Sequence, residues 1–430
     1  DLDAANLAEG NLKLAARNLD DLSALALAKL GGRIDADLRL ARPNGGQNID
    51  LKANAQRLSA PSLTLDKLDA TLAIVDALRK PRIDGNVQID RAVIAGEPVS
   101  AIRLVSQGAA ETSDISLDAT ARGFALAAKG RLSVSEPLRF DLSSFTASRD
   151  GRRIALSKPA SFTAIEGGVA IRDLAIAVDA GRITLDGAVG RALDLRFQAQ
   201  NVPLSAARLA APTLDLSGTL DAEATIKGTP EAPTGPWRLK IARLVAPQTR
   251  QAGLPPLEIA GQGTLNGRQT SLDASLNGGR FIALTAKGTV PLGGNGALDL
   301  AVQGRVDAAL ANTQLSADGR NLTGQIAIDM RAGGTMSAPQ LSGGATLTNG
   351  SFSDALQGVR LTGIEARLAA RGPELAIERF SAQTPGGGTL SARGNVRLDP
   401  EAGFPGTIRI EGKRAQLVAN GLVTAVADLG

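Results

Sequence analysis

The chain contains no cysteine, no histidine and no tyrosine, and only one tryptophan and nine phenylalanines among 430 residues. Without cysteine there is no disulfide and no thiolate nucleophile. Without histidine there is no His-dependent triad and no zinc site of the usual ligand set. The lack of cysteine suits either the cytosol or a bacterial envelope. Hydrophobic residues make up 43% of the chain but aromatics only 2%, so the apolar mass is Leu, Ala, Val and Ile. Compact domains use rings as large core fillers. The expectation is therefore a long, thin or fluid-filled apolar interior in place of one thick core. No apolar run approaches the roughly 18 residues of a membrane-spanning helix. The chain opens at Asp1 without a Met or a charged-then-apolar leader, which reads as an internal piece of something longer. Lys and Arg number 47 against 43 Asp and Glu, a net +4. These charges are interspersed without a block, as on a solvated β surface and unlike a nucleic-acid interface.

What is present is alternation. From Thr389 to Asp399, Leu390, Ala392, Gly394, Val396 and Leu398 alternate with Ser391, Arg393, Asn395, Arg397 and Asp399. Side chains on a strand point to opposite faces with a period of two, so one face is oily and the other wet. The layout returns at Leu284, Ala286, Gly288, Val290 and Leu292, and at Leu126, Ala128, Gly130, Leu132 and Val134. A fourth copy is Ile183, Leu185, Gly187 and Val189. Each copy carries a mid-strand glycine on the apolar face, where glycine marks a bend or a close approach.

Most of the chain follows the same grammar. Residues 1–18 read as a strand. Asp20 is the expected N-cap of a short helix at about 20–30, with Leu22, Leu25, Ala26 and Leu30 at helical spacing and Gly31-Gly32 as its stop. Ile34, Ala36, Leu38 and Leu40 then alternate up to the turn Pro43-Asn44-Gly45-Gly46. A second short helical turn is expected between Asn201 and Leu209, with Pro212 ending it. From Leu216 an internal repeat appears: Gly218 and Gly324, Gly228 and Gly334, Pro233 and Pro339, and Gly288 and Gly394 all stand 106 residues apart. The division read from this pattern is 1–200, followed by 201–430 with repeats at 216–321 and 322–430. At 8 to 12 residues per strand, roughly 30 to 35 antiparallel strands follow. The fold class is all-β: an elongated, curled antiparallel sheet, a taco-like solenoid, with a continuous hydrophobic groove and one or two short capping helices.

Other chemistries find little footing. Gly261-Gln262-Gly263-Thr264-Leu265-Asn266-Gly267 has the wrong spacing for a dinucleotide loop and no helix after it, and reads as a turn. Gly386 to Gly388 read as a hairpin turn. Carboxylates such as Asp35, Asp37, Asp84 and Asp90 stand singly on polar faces. Paired carboxylates could serve glycoside hydrolysis, but the aromatic platforms for sugar rings are missing. Trp237, after Pro236, reads as a sheet-edge packing residue. The expectation is no enzyme, no catalytic residue, no cofactor and no metal.

Some phrases resemble a known family. Leu214-Asp215-Leu216-Ser217-Gly218-Thr219-Leu220, then Lys227-Gly228-Thr229-Pro230-Glu231-Ala232-Pro233, looks like a phrase of the TamB family of AsmA-like envelope proteins. So do Gly386-Gly387-Gly388-Thr389-Leu390-Ser391-Ala392-Arg393-Gly394 and Asn201-Val202-Pro203-Leu204. The likeness covers about residues 180–430 and is looser before that. It implies a periplasmic protein of a Gram-negative bacterium, anchored in the inner membrane by a segment outside this chain. It implies a partner barrel of the Omp85 type (TamA) in the outer membrane, and phospholipid transport between the two membranes linked to outer-membrane assembly. The family brings no catalytic residues; its functional surface is a groove. The matching positions are Leu126, Ala128, Leu132, Val134, Ile183, Leu185, Val189, Leu284, Ala286, Val290, Leu292, Leu390, Ala392, Val396 and Leu398, with Gly130, Gly187, Gly288 and Gly394 as bending glycines. The alternative is a scaffold or chaperone for outer-membrane β-barrel proteins, acting by strand addition.

Overall fold

Alternation this persistent has one outcome in the computed structural model: among the described residues, 27 strands in antiparallel sheet, with a few one-turn helices. Residues 7–430 are described, apart from 80, 95, 110, 210, 212, 295, 317–318, 398–402, 404 and 420–423. The strands are fewer and longer than the 30 to 35 expected, because several run on through bulges; Pro339–Asp354 reaches 16 residues. Contacts divide the chain into two units, residues 1–197 and 198–430.

In the first unit, the strands from Gly10–Ala16 to Arg139–Arg149 form a simple meander in which each pairs with the next. Turn chemistry sets the register. Arg122-Gly123 and Asp150-Gly151 are two-residue turns with both residues at positive φ, the geometry that matches strand twist. The expected helix near residues 20–30 is smaller than its apolar spacing suggested: a 3-10 turn at Leu19–Leu22, then one α turn at Ser23–Ala26. Its cap is Asn18, whose side chain accepts from the Asp20 N–H at 3.2 Å, and not Asp20 itself. Leu27, at φ 50°, ends it. The buried core is slight, consisting of Ala55, Leu65 and Ala92 with Ile34, Leu58, Leu68, Ile89 and Ile102 against them.

The second unit is a thirteen-strand meander from Ser217–Thr229 to Thr424–Leu429. Helical turns at Leu204–Leu209 and Ala308–Leu315 pack on the strands Ser217–Thr229 and Arg320–Gly334, and bury Leu209 and Ala308. The expected stop at Pro212 lies outside the described residues. Paired anchors of the 106-residue offset occupy matching places: Pro233 lies opposite Gly228, and Pro339 opposite Gly334. The sheet curls. Cα atoms of Val359–Arg371 come within 8 Å of Gly406–Ala419, three strands away, where a flat sheet would hold them about 14 Å apart. Ile364, Ala382 and Ala415 are buried in that curl.

Bulges recur by one device. Asp173, Asn201, Arg243 and Arg414 all have positive φ within strands. The N–H of each is capped by a carboxylate: Asp186 at 2.6 Å, Asp221 at 2.8 Å, Glu258 at 3.0 Å and Asp428 at 2.7 Å. The extra residue would otherwise leave its N–H without a ladder partner.

An open aliphatic sheet face

Register, followed across the strands, converts the alternation into rows. In the second unit one row runs Leu220, Ile241, Ile259, Leu276, Leu284, Gly304, Ile328, Ala345, Leu368, Ile377, Gly394 and Ile408, each directly opposite the next. The neighbouring row runs Ala222, Leu239, Gly261, Ala274, Ala286, Val302, Met330, Gly343, Ala370, Leu375, Val396 and Gly406 over the same strands. Twelve strands pass without a polar side chain in either row. In the first unit Leu14, Ala36, Ala53, Ala70, Val87, Leu104, Leu117, Ala128 and Phe145 form a similar row across nine strands.

Most members of these rows keep part of their surface exposed, and the buried exceptions are small: Ala53, Gly261 and Ala370. Eleven members of the Leu220–Ile408 row are half-buried and none is fully buried; Ile408 itself is 50% exposed. Large buried side chains are correspondingly few: the buried hydrophobics are mostly alanines. The surface area says the same. The chain exposes 25492 Å², whereas even two separate compact bodies of about 22 kDa would expose together only about 18,600 Å².

Of the residues expected to line the groove, Leu126, Ala128, Leu132, Val134, Ile183, Leu185, Leu284, Ala286, Val290, Leu390, Ala392 and Val396 are half-buried on these faces. Val189 is exposed at a strand end beside Val169, and Leu292 is exposed just past the strand Ile282–Pro291. Val134 also falls past its strand, Phe124–Ser133. Leu398 lies outside the described residues, as does Asp399.

All four mid-strand glycines sit where a neighbouring strand crosses closely. A Cβ on Gly288 would stand 1.9 Å from the Asp299 carbonyl oxygen, and one on Gly394 would stand 2.2 Å from that of Thr407. Large residues flank the gaps: Leu272 and Leu300 lie on either side of Gly288, and Ile377 and Ile408 on either side of Gly394. Gly130 lies against the Phe140 ring, and Gly187 against the Asp194 carbonyl.

Two local expectations change. Trp237 is not at an edge: its strand, Ala232–Val245, is paired on both sides. Its ring covers Gly263, and its Nε1–H donates to Thr270 Oγ1 at 2.6 Å. The glycine run from Gly261 is therefore strand Leu257–Asn266, and only Gly267 turns. Close approach of the Ser271 carbonyl oxygen, 1.9 Å from where a Cβ would stand, with the indole at 2.9 Å, accounts for Gly263. Gly386 to Gly388 do connect two paired strands, through a 3-10 turn at Pro385–Gly387. Sequence reasoning missed the helical turns at Pro247–Gln251 and Ala308–Leu315. Pro247 at the first helical position and Asp307 as N-cap were the available signals.

The wet face is laced with cross-strand pairs. Arg131 Nε lies 2.8 Å from Asp114, and Lys287 Nζ lies 3.0 Å from Asp273, each pair directly opposite. Hydrogen bonds from Arg131, Arg122 and Lys158 hold the carboxyls of Asp114, Glu97 and Asp173 below the usual carboxylate range. Asp354 is lowered by the Gln357 N–H first, and by Arg320. Asp35 and Asp37 are exposed on this face. Asp84 accepts the Gly108 N–H at 2.7 Å, so it serves the backbone. Compared with family models, curated proteins and solved structures, the chain matches none.

Proposed function

We propose that this chain is part of a TamB-like envelope protein, and that the apolar face of its sheet shields phospholipid acyl chains on their way between the inner and outer membranes. The observation that carries the reading is the pair of unbroken apolar rows over twelve strands, most of whose members keep part of their surface exposed. An open apolar face of that extent is rarely left to water in a monomer. Burial of a methylene is worth about 0.8 kcal/mol, so ten methylenes half-covered by the face gain about 4 kcal/mol over water. Such attraction has no direction along the rows, which suits a ligand that must slide. The phrases resembling the TamB family point the same way, and with them to a periplasmic setting, an inner-membrane anchor outside this chain, a TamA-like barrel as partner and a link to outer-membrane assembly.

The test is gentle purification from a Gram-negative host followed by lipid mass spectrometry. Phospholipid should accompany the protein in stable proportion and be stripped by detergent. A stable protein isolated without lipid, and unable to take up lysophospholipid, would refute the proposal.

A further inference from the structure

The chain's positive charge is unevenly placed. Four successive strands, Val359–Arg371, Glu374–Thr384, Gly388–Arg397 and Gly406–Ala419, carry nine Lys and Arg against four Asp and Glu. That surplus of five exceeds the whole chain's surplus of four. The connecting segment adds Asp399 and Glu401, which lie outside the described residues.

Register concentrates the charge further. Arg367 lies opposite Arg379, and Arg393 opposite Arg409. A bulge joins the two pairs: Ile377 pairs with Gly394 and Phe380 with Ala392, so Glu378 and Arg379 both face Arg393. Four arginines therefore stand in one file across adjacent strands about 5 Å apart. Arg367 is matched by Glu378 at 3.3 Å. Among the described residues, Arg379, Arg393 and Arg409 make no ion pair, unlike Arg131 with Asp114. Like charges directly opposite destabilise a sheet, so the file costs stability with no return inside the chain. Around it the side chains frame a recess of about 830 Å³, where Ser391, Asn395 and Thr407 stand beside the three guanidiniums and Glu411 is the one carboxylate.

We propose that this recess binds a phosphate-class oxyanion carrying two or more charges, its oxygens accepting paired guanidinium N–H bonds. The source is a lipid headgroup or a soluble phosphate ester. Phe380, Ala392 and Gly394 also border the recess, but its charge is carried by side chains of the wet parity, and a ligand without an acyl chain tests it separately from the acyl-chain reading.

The test uses the full chain at neutral pH and low salt. One arm titrates inorganic pyrophosphate by calorimetry. The other floats the protein with vesicles of phosphatidylglycerol and phosphatidylcholine, or of phosphatidylcholine alone. Each arm compares the unaltered protein, the double variant Arg393→Gln with Arg409→Gln, and Arg131→Gln as a matched-arginine control; circular dichroism verifies folding. An arginine that faces an anionic membrane contributes about a fivefold change in affinity, so the double variant should lose about 25-fold. Arg131, which is paired with Asp114 and lies outside the recess, should leave the affinity unchanged when replaced. Loss in the vesicle arm only assigns a lipid headgroup, and loss in the pyrophosphate arm only assigns a soluble ester. Loss in both assigns the shared chemistry. Absence of binding in both arms, binding undiminished in the double variant, or equal loss in the control overturns the proposal.

Discussion

Replacing Leu284 with glutamate places a carboxylate in the middle of the twelve-strand row, opposite Leu276 on one side and Gly304 on the other. Leu284 is half-buried, so part of its side chain meets solvent. Full burial of a leucine is worth about 1.5–3 kcal/mol, so the part realised here is about 1–2 kcal/mol. A glutamate at this place can turn its carboxylate to water, leaving a total cost of about 1–2 kcal/mol. In a unit of this size that lowers Tm by about 3–6 °C. In a sealed core the same carboxylate would be desolvated or forced neutral, at a cost above about 4 kcal/mol. Urea unfolding followed by circular dichroism separates the two cases. Retained folding with a small midpoint shift, together with loss of copurifying lipid, is the expected result. Collapse of the fold would refute the reasoning, because it would mean that the face is closed.

Four further outcomes follow from named contacts. Gly288→Val should cost about 3 kcal/mol or more, since even a Cβ there stands 1.9 Å from the Asp299 carbonyl oxygen; the urea midpoint reports it. Asp221→Ala removes the acceptor of the Asn201 N–H and should cost about 1 kcal/mol, with faster amide exchange at Asn201. The lowered carboxyls of Asp114, Glu97, Asp173 and Asp354 contribute stability above the ordinary carboxylate range, about pH 4, which is lost as pH falls through their lowered values. Thermal melts should therefore hold near neutrality and drop below about pH 4; melts unchanged at pH 3 would contradict this. Trp237, the sole tryptophan, faces the apolar rows, so its emission should shift to the blue on addition of lysophospholipid, and no shift would count against the groove.

Much of this architecture could be read from the chain because a period of two is a direct record of which side chains share a face. Leu284, Ala286 and Val290 follow it without interruption, and so do Leu390, Ala392 and Val396. The bulges were hidden. An extra residue such as Asp173 or Arg243 looks like ordinary strand in sequence, and its capping carboxylate comes from a different strand, so Asp186 and Glu258 look like idle polar-face residues. Gly263 was misread for a related reason: the groups that crowd it, the Ser271 carbonyl and the Trp237 ring, lie on other strands, and Trp237, 26 positions earlier, is opposite only through register. Short helical turns such as Pro247–Gln251 carry too few residues to show a helical period. The row of arginines depends on register between strands, and on a bulge, so no single segment displays it.

The most direct measurement places a photo-activated crosslinker at successive positions of one strand in the living cell: Leu284 and Ala286 on the apolar parity, Thr285 and Lys287 on the wet one. Phospholipid should be captured from Leu284 and Ala286 and not from Thr285 or Lys287. Equal capture from both parities, or capture of polypeptide alone from the apolar one, would contradict the account and favour a scaffold for nascent β-strands.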